Sequence, residues 1–582
     1  MMTRSASKNS RWARMSAVVL ALTLSLAPVA VSRADESWPA PETLAPAGAV
    51  SGTLFICGGG KIPDDVLGKF AEIAGGPNAH LVIITTASET ADSADVDSRL
   101  EFWRRLQLAE LTILHTRDRA IADDPRFAEP LATATGVWFI GGHQQRLTDA
   151  YLGTRTEKAI KGVLKRGGIV GGTSAGAAIM SPVMILGGKE EPEIGHGFGF
   201  LQGALVDQHF IKRKRQDRLI SALTKYPRLV GIGVDENTVL VVQGRRISVL
   251  GESGVVTCLA PVGDKPAVSE TLLKNMEEDL VALYRAARAR IQPRYQFDDE
   301  KLESKTAGGT LVIAGGGDVP ETAAERFIEG AGGPEATIVV ITTANGDRPA
   351  PDARSIAWLA EAGAKNIHFV HPRTKADVED PALVSLLRKA GGVWFTGGRQ
   401  WRLVDTFEDT VAEAELHALL ARGGAIGGAG GGASMLADYL VRGNPVSNKD
   451  IMAQGYEEGF GFLTGVAIDP FFTQRNRFAD MARLKRAHPR LVGLGIDEDT
   501  ALVIKDHALE VVGKNHVVIY GHQQPGGADK NVEFLFEGDR YDLASRQRLG
   551  PPRNTDSETP TVPVVAESDD DPEPQPPLAC DE

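Results

Sequence analysis

The chain has 582 residues, 42% of them hydrophobic and 24% charged, with a net charge of −13. That length suits two to four domains, and the composition excludes a collagen, a coiled coil and a wholly disordered chain. The acidity argues against a protein that coats nucleic acid, and three cysteines are too few for a disulfide scaffold.

Residues 1–34 carry five basic side chains and no acidic one, an apolar run over 17–31, and Ser32-Arg33-Ala34 before Asp35. This pattern reads as a signal peptide, so export to the periplasm or the exterior is expected. The run is too short for a comfortable membrane span, so no membrane association is expected after cleavage. A linker over 35–50 follows.

From residue 51 the chain repeats itself. Gly52-Thr53-Leu54-Phe55-Ile56-Cys57-Gly58-Gly59-Gly60 returns as Gly309-Thr310-Leu311-Val312-Ile313-Ala314-Gly315-Gly316-Gly317. Leu81 to Ala87, Gly136 to Gly142 and Leu229 to Glu236 each have a partner between 256 and 262 residues later. A period that long means two tandem domains. In each copy, unbroken apolar β-branched runs end in glycines and alternate with amphipathic stretches such as 63–74. Such strands are buried on both faces, which predicts α/β domains with doubly wound, mainly parallel sheets. The domains are expected over 51–265 and 307–525. A charged stretch of helical periodicity over 270–291 predicts a connecting helix within a 266–306 connector. Cys57 and Cys258 fall in apolar runs and read as buried free thiols.

The chemistry concentrates in the first copy. Gly141-Gly142-His143-Gln144 ends a strand where ligands bind in such sheets. The Gly142 N–H is a candidate oxyanion donor, and Gln144 a candidate substrate contact. Gly172-Thr173-Ser174-Ala175-Gly176 fits G-x-S-x-G, with small neighbours that let a strained turn expose the Ser174 hydroxyl and with the Ala175 N–H as a second oxyanion donor. The same pattern also suits a phosphate-binding turn. The repeat weighs on this choice, because Ser174 aligns with Gly430. Downstream, Asp207-Gln208-His209 aligns with Asp469-Pro470-Phe471, so the histidine is lost together with the serine. Joint loss is what a nucleophile and its general base would show. Asp235 and Glu236 are both candidates to orient His209, although both persist as Asp497 and Glu498. Arg213, Arg215 and Arg218 form either a solvated basic face or a grip for a substrate carboxylate. The last segment, 526–582, ends in a tail with eight prolines after residue 550 and an Asp569-Asp570-Asp571 run, which predicts disorder.

Together, Gly141 to Gln144, Gly171 to Ala177, Asp207 to Arg218 and Gly231 to Glu236 resemble cyanophycinase, in the serine peptidase family that also includes bacterial aspartyl dipeptidase. The resemblance covers about 215 residues of the first copy and only the scaffold of the second. It implies a class I glutamine amidotransferase-like fold with serine as nucleophile, acting without metal or cofactor. It implies hydrolysis of a β-aspartyl-arginine polymer to dipeptides, with Ser174 as nucleophile, His209 as base and Glu236 as its partner. Gln144, Asp207, Gln208, Arg213, Arg215 and Arg218 would line the pocket for an aspartyl peptide. Familiar members are single-domain and often dimeric, so the second copy is expected to replace a dimer partner as an inert pseudoenzyme. Alternatives are a dipeptidase for α-aspartyl peptides and a non-catalytic binding protein.

Overall fold

The computed structural model describes residues 48–93, 96–292, 304–306, 308–346, 353–521 and 532–550. The leader, most of the linker and the acidic tail with Cys580 lie outside the described residues.

Alternation of side chains along the strands builds each copy. Leu54, Ile56, Val82, Ile84, Val137 and Phe139 point to one core. Phe55, Cys57, Leu81, Ile83, Trp138 and Ile140 point to another on the opposite face. A strand apolar on both faces has to be covered by helices on both, hence the doubly wound form. Helix Asp64–Ile73 covers the second face with Val66 and Phe70, and Phe70 meets Trp138 edge to face at 5.1 Å. The sheet runs in parallel through Glu110–Leu114, His80–Ile84, Gly136–Phe139, Ile169–Thr173 and Val50–Cys57. Antiparallel strands Thr238–Gly244, Arg246–Gly251 and Glu277–Asp279 extend it. A smaller sheet joins Ala204–Gln208 in parallel to Val230–Val234, then adds antiparallel Val255–Leu259 and Val268–Leu272.

The second copy repeats this plan. Its parallel strands are Asn366–Val370, Thr337–Ile341, Gly392–Phe395, Ala425–Ala429 and Thr310–Ala314, with antiparallel strands from Thr500–Lys505 to Gln547–Leu549. Cys57 and Cys258 are buried free thiols. No helix among the described residues is long and apolar enough to cross a membrane.

The stretch 270–291 differs from the single helix its periodicity suggests. Val268–Leu272 and Glu277–Asp279 are strands that pair with the two sheets of the first copy, and only Leu280–Ile291 is helical. The Asp279 carboxylate caps that helix by accepting from the Ala282 N–H at 2.9 Å. Leu280, Tyr284 and Ala287 pack into the first copy, whereas Arg285 turns to the second. It donates to the Glu408 carboxylate at 2.8 and 2.6 Å and lies 4.4 Å over the Tyr456 ring. Arg245 does likewise, bonding Asp279 in its own copy and Asp405 of the other at 2.7 Å, with Trp401 beneath it at 4.2 Å.

Candidate active site

The site forms where the carboxyl ends of three strands converge. Strand Val50–Cys57 ends in Gly58-Gly59-Gly60, strand Ile169–Thr173 in Ser174, and strand Ala204–Gln208 in His209. Two backbone bonds tie them together. The Ser174 N–H donates to the Cys57 carbonyl at 3.0 Å, and the His209 N–H to the Gly58 carbonyl at 2.8 Å.

Ser174 has φ 55 and ψ −106, a conformation that L-residues avoid. The tight turn lifts its Oγ to 2.9 Å from His209 Nε2. His209, itself at φ 50, places Nδ1 at 2.8 Å from Glu236 Oε1. Gly59 makes room for the imidazole: a Cβ there would lie 2.2 Å from the ring, and its φ of 110 suits glycine alone. Burial pushes the His209 pKa down and outweighs the upward pull of Glu236, so the neutral imidazole is favoured. A neutral ring hydrogen-bonded to a carboxylate through Nδ1–H leaves Nε2 free to accept the serine proton.

The two candidate acids separate cleanly. Asp235 accepts from the Lys212 N–H at 2.8 Å and from Ser253 Oγ at 2.7 Å, which braces the turn after His209. Glu236 faces the imidazole.

The three arginines separate as well. Arg218 is buried and its guanidinium grips Asp207, with Nε at 3.0 Å. Arg215 lies 3.4 Å from the same carboxylate and donates to the Gln208 carbonyl at 2.7 Å. Both are therefore occupied in a buried ion cluster under the site. Arg213 is half-exposed, with Nε 4.0 Å from Glu236. Gln144 spends its amide N–H groups on the carbonyls of Ile185 and Leu186 at 3.0 and 2.9 Å. Gln208 Oε1 is buried without a partner among the described residues. Ala175 opens a helix, so its N–H lacks an intrahelical acceptor. Gly142 has a φ of 153 and abuts the Ala87 carbonyl.

Two contributors are absent from the sequence reading. One is Gly59; its signal was the glycine triplet repeated in both copies. The other is Asn237, whose N–H donates to the Gly59 carbonyl at 2.8 Å and whose side chain accepts from the Lys61 N–H at 2.8 Å. Nothing short of the tertiary contact marks Asn237.

The second copy keeps the frame without the serine and histidine. Gly430 holds φ 53 and ψ −123, and Phe471 holds φ 55 where His209 has 50. The Phe471 ring fills the imidazole slot over Gly316, where a Cβ would meet it at 2.3 Å. The buried cluster persists by a different route. Arg218 aligns with Asp480, and Arg442 from another segment grips both Asp469, at 2.9 Å, and Asp480, at 2.7 Å.

Fold, elbow and hydrogen-bonded serine and histidine define a serine-type peptidase. The model of peptidase family S51 matches residues 54–250 and again 311–512, and the chain belongs to that family. It is 35% identical over 230 residues to a cyanophycinase of Geminocystis herdmanii, covering 38% of this chain and 82% of that one. A cyanophycinase of Thermosynechococcus vestitus is 35% identical over 207 residues, covering 34% of this chain and 63% of that one. Among solved structures, a peptidase from an acI-B1 Actinobacterium is 25% identical with a TM-score of 0.32, covering 40% of this chain and 98% of that one.

Proposed function

We propose that this chain is an exported serine exopeptidase that hydrolyses cyanophycin (multi-L-arginyl-poly-aspartate) to β-Asp-Arg dipeptides. The observation that carries the mechanism is the chain of contacts from Ser174 through His209 to Glu236, at 2.9 and 2.8 Å. Ser174 Oγ attacks the peptide carbonyl and its proton passes to His209 Nε2. The Ala175 and Gly142 N–H groups stabilise the oxyanion. His209 returns the proton to the leaving amine, which leaves an ester on Ser174. Water, deprotonated by His209, then cleaves that ester and regenerates the serine. Half-exposed Arg213 is the residue placed to meet a substrate carboxylate, since Arg215 and Arg218 are already committed to Asp207.

Export rests on the leader at 1–34, and detection of the protein only in the cytoplasm would count against it. The second copy is a pseudoenzyme that takes the place of a dimer partner. The contacts of Arg245 and Arg285 support this, as does the replacement of the catalytic pair by Gly430 and Phe471. The decisive test is Ser174→Ala, for which no dipeptide release from cyanophycin is expected; retained release would refute the mechanism. Parallel assays on α-aspartyl peptides separate the substrate classes.

A further inference from the structure

The second copy has lost its nucleophile and base, but the space in front of them is open. A cavity of about 390 Å³ lies there, lined by four arginines and no carboxylate. Two of the arginines are neutralised from behind: Arg477 grips Asp469, and Arg442 grips Asp469 and Asp480. The other two have no carboxylate partner among the described residues. Arg475 is exposed and lies 4.4 Å over the Phe471 ring, held by its cation–π contact. Arg399 donates to the Asn444 carbonyl at 2.5 Å, while its Nε is buried without a partner among the described residues.

Comparison with the first copy shows a change of character. Arg475 matches Arg213, so that cation is kept. Arg399 stands where the first copy has His143, and Ser434 where it has Ala178. Ser434 is one of the residues lining the cavity, is 1% exposed, and its buried hydroxyl has no hydrogen-bond partner among the described residues. A buried hydroxyl or guanidinium N–H left unpaired is destabilising, because its lost hydration is not repaid. A copy that served only as scaffold would gain by filling this space with apolar side chains. Instead, around the positions where Gly430 and Phe471 replace the serine and histidine, it keeps Arg475 and carries Arg399 and Ser434 in place of His143 and Ala178.

We propose that the cavity of the second copy is a non-catalytic binding site for a carboxylate-bearing peptide, gripped by Arg399 and Arg475 with Ser434 Oγ as a further donor. The choice of an aspartyl peptide as its ligand rests on the function proposed for the first copy; the anion chemistry does not. A bound segment of polymer would be held beside the first copy, raising its local concentration there.

The test uses the full chain carrying Ser174→Ala, titrated calorimetrically with β-Asp-Arg dipeptide. About two equivalents are expected to bind, falling to about one when Arg475→Glu is added. Arg399→Ala is expected to weaken that second site about tenfold, the loss of one charge-assisted contact. Arg475 is exposed, so its replacement leaves folding intact even if the Arg399 variant is unstable. In chains with Ser174 present, Arg475→Glu is expected to raise KM for the polymer with kcat unchanged and fluorophosphonate labelling of Ser174 intact. A stoichiometry of one that Arg475→Glu does not alter, or no binding at all, overturns the proposal. If the unaltered chain fails to hydrolyse β-aspartyl peptides, the first-copy reading fails by itself. The effect of Arg475→Glu on dipeptide binding still decides the second.

Discussion

Replacing Glu236 by Gln removes the charge that faces His209 and keeps the side-chain volume. In the mechanism proposed above His209 becomes an imidazolium in the transition state, and Glu236 is the carboxylate in contact with it at 2.8 Å. With charge centres roughly 4 Å apart and an effective dielectric of about 20, the attraction is about 4 kcal/mol. The Glu236 side chain is 28% exposed and Arg213 stands 4.0 Å away, so solvent and a counter-charge both dilute it. Taking about two thirds of the full value and about 1.4 kcal/mol per factor of ten, kcat/KM should fall about a hundredfold. The control is Asp235→Asn. Asp235 holds the Lys212 N–H and Ser253 Oγ, so its replacement should lower stability by about 1–3 kcal/mol and leave kcat/KM within about threefold. The assay is initial-rate dipeptide release with thermal melting on the same samples. A Glu236→Gln enzyme of near-normal activity beside a crippled Asp235→Asn enzyme would refute the assignment.

Burial holds the His209 pKa below its ordinary value, so the acid limb of the kcat/KM profile should fall below the pH where a free histidine titrates. Because Glu236 pulls that pKa upward, Glu236→Gln should move the limb further down; an upward move would contradict the geometry. Gly59→Ala should cost at least about a hundredfold in kcat/KM, since its Cβ would lie 2.2 Å from the imidazole. Gly316→Ala brings the same clash onto Phe471 and should lower the melting temperature while sparing activity. Arg285→Ala removes both hydrogen bonds to the Glu408 carboxylate, whose side chain is 12% exposed, at a cost of about 3 kcal/mol. A fall of at least about 5 °C in the melting transition is expected, and an unchanged melt would show that the two copies are not held together there.

Much of this was written locally along the chain. The two-faced strands from Leu54 to Cys57 announce their burial by being apolar at every position, and the elbow at Ser174 by its small neighbours. The alignment of the copies supplied what one motif could not, because Ser174 and His209 are replaced together. Periodicity failed at 270–279, where charged residues of two edge strands resemble those of a helix face. Pairing with Val255–Leu259 and with Arg246–Gly251 decided the matter.

The sequence by itself determined the duplication and the α/β class, and singled out Ser174 and His209 as the candidate nucleophile and base. Each depends on the pattern within one segment or on two segments matched by identity. Tertiary structure alone showed which acid faces His209, since Asp235 and Glu236 are neighbours in the chain and their carboxylates point to different partners. It alone distinguished Arg213 from Arg215 and Arg218, because buried Asp207 takes the latter two. It also revealed that the second copy holds an open, cationic cavity. Charge in a sequence carries no sign of its counter-charge until folding brings the two together.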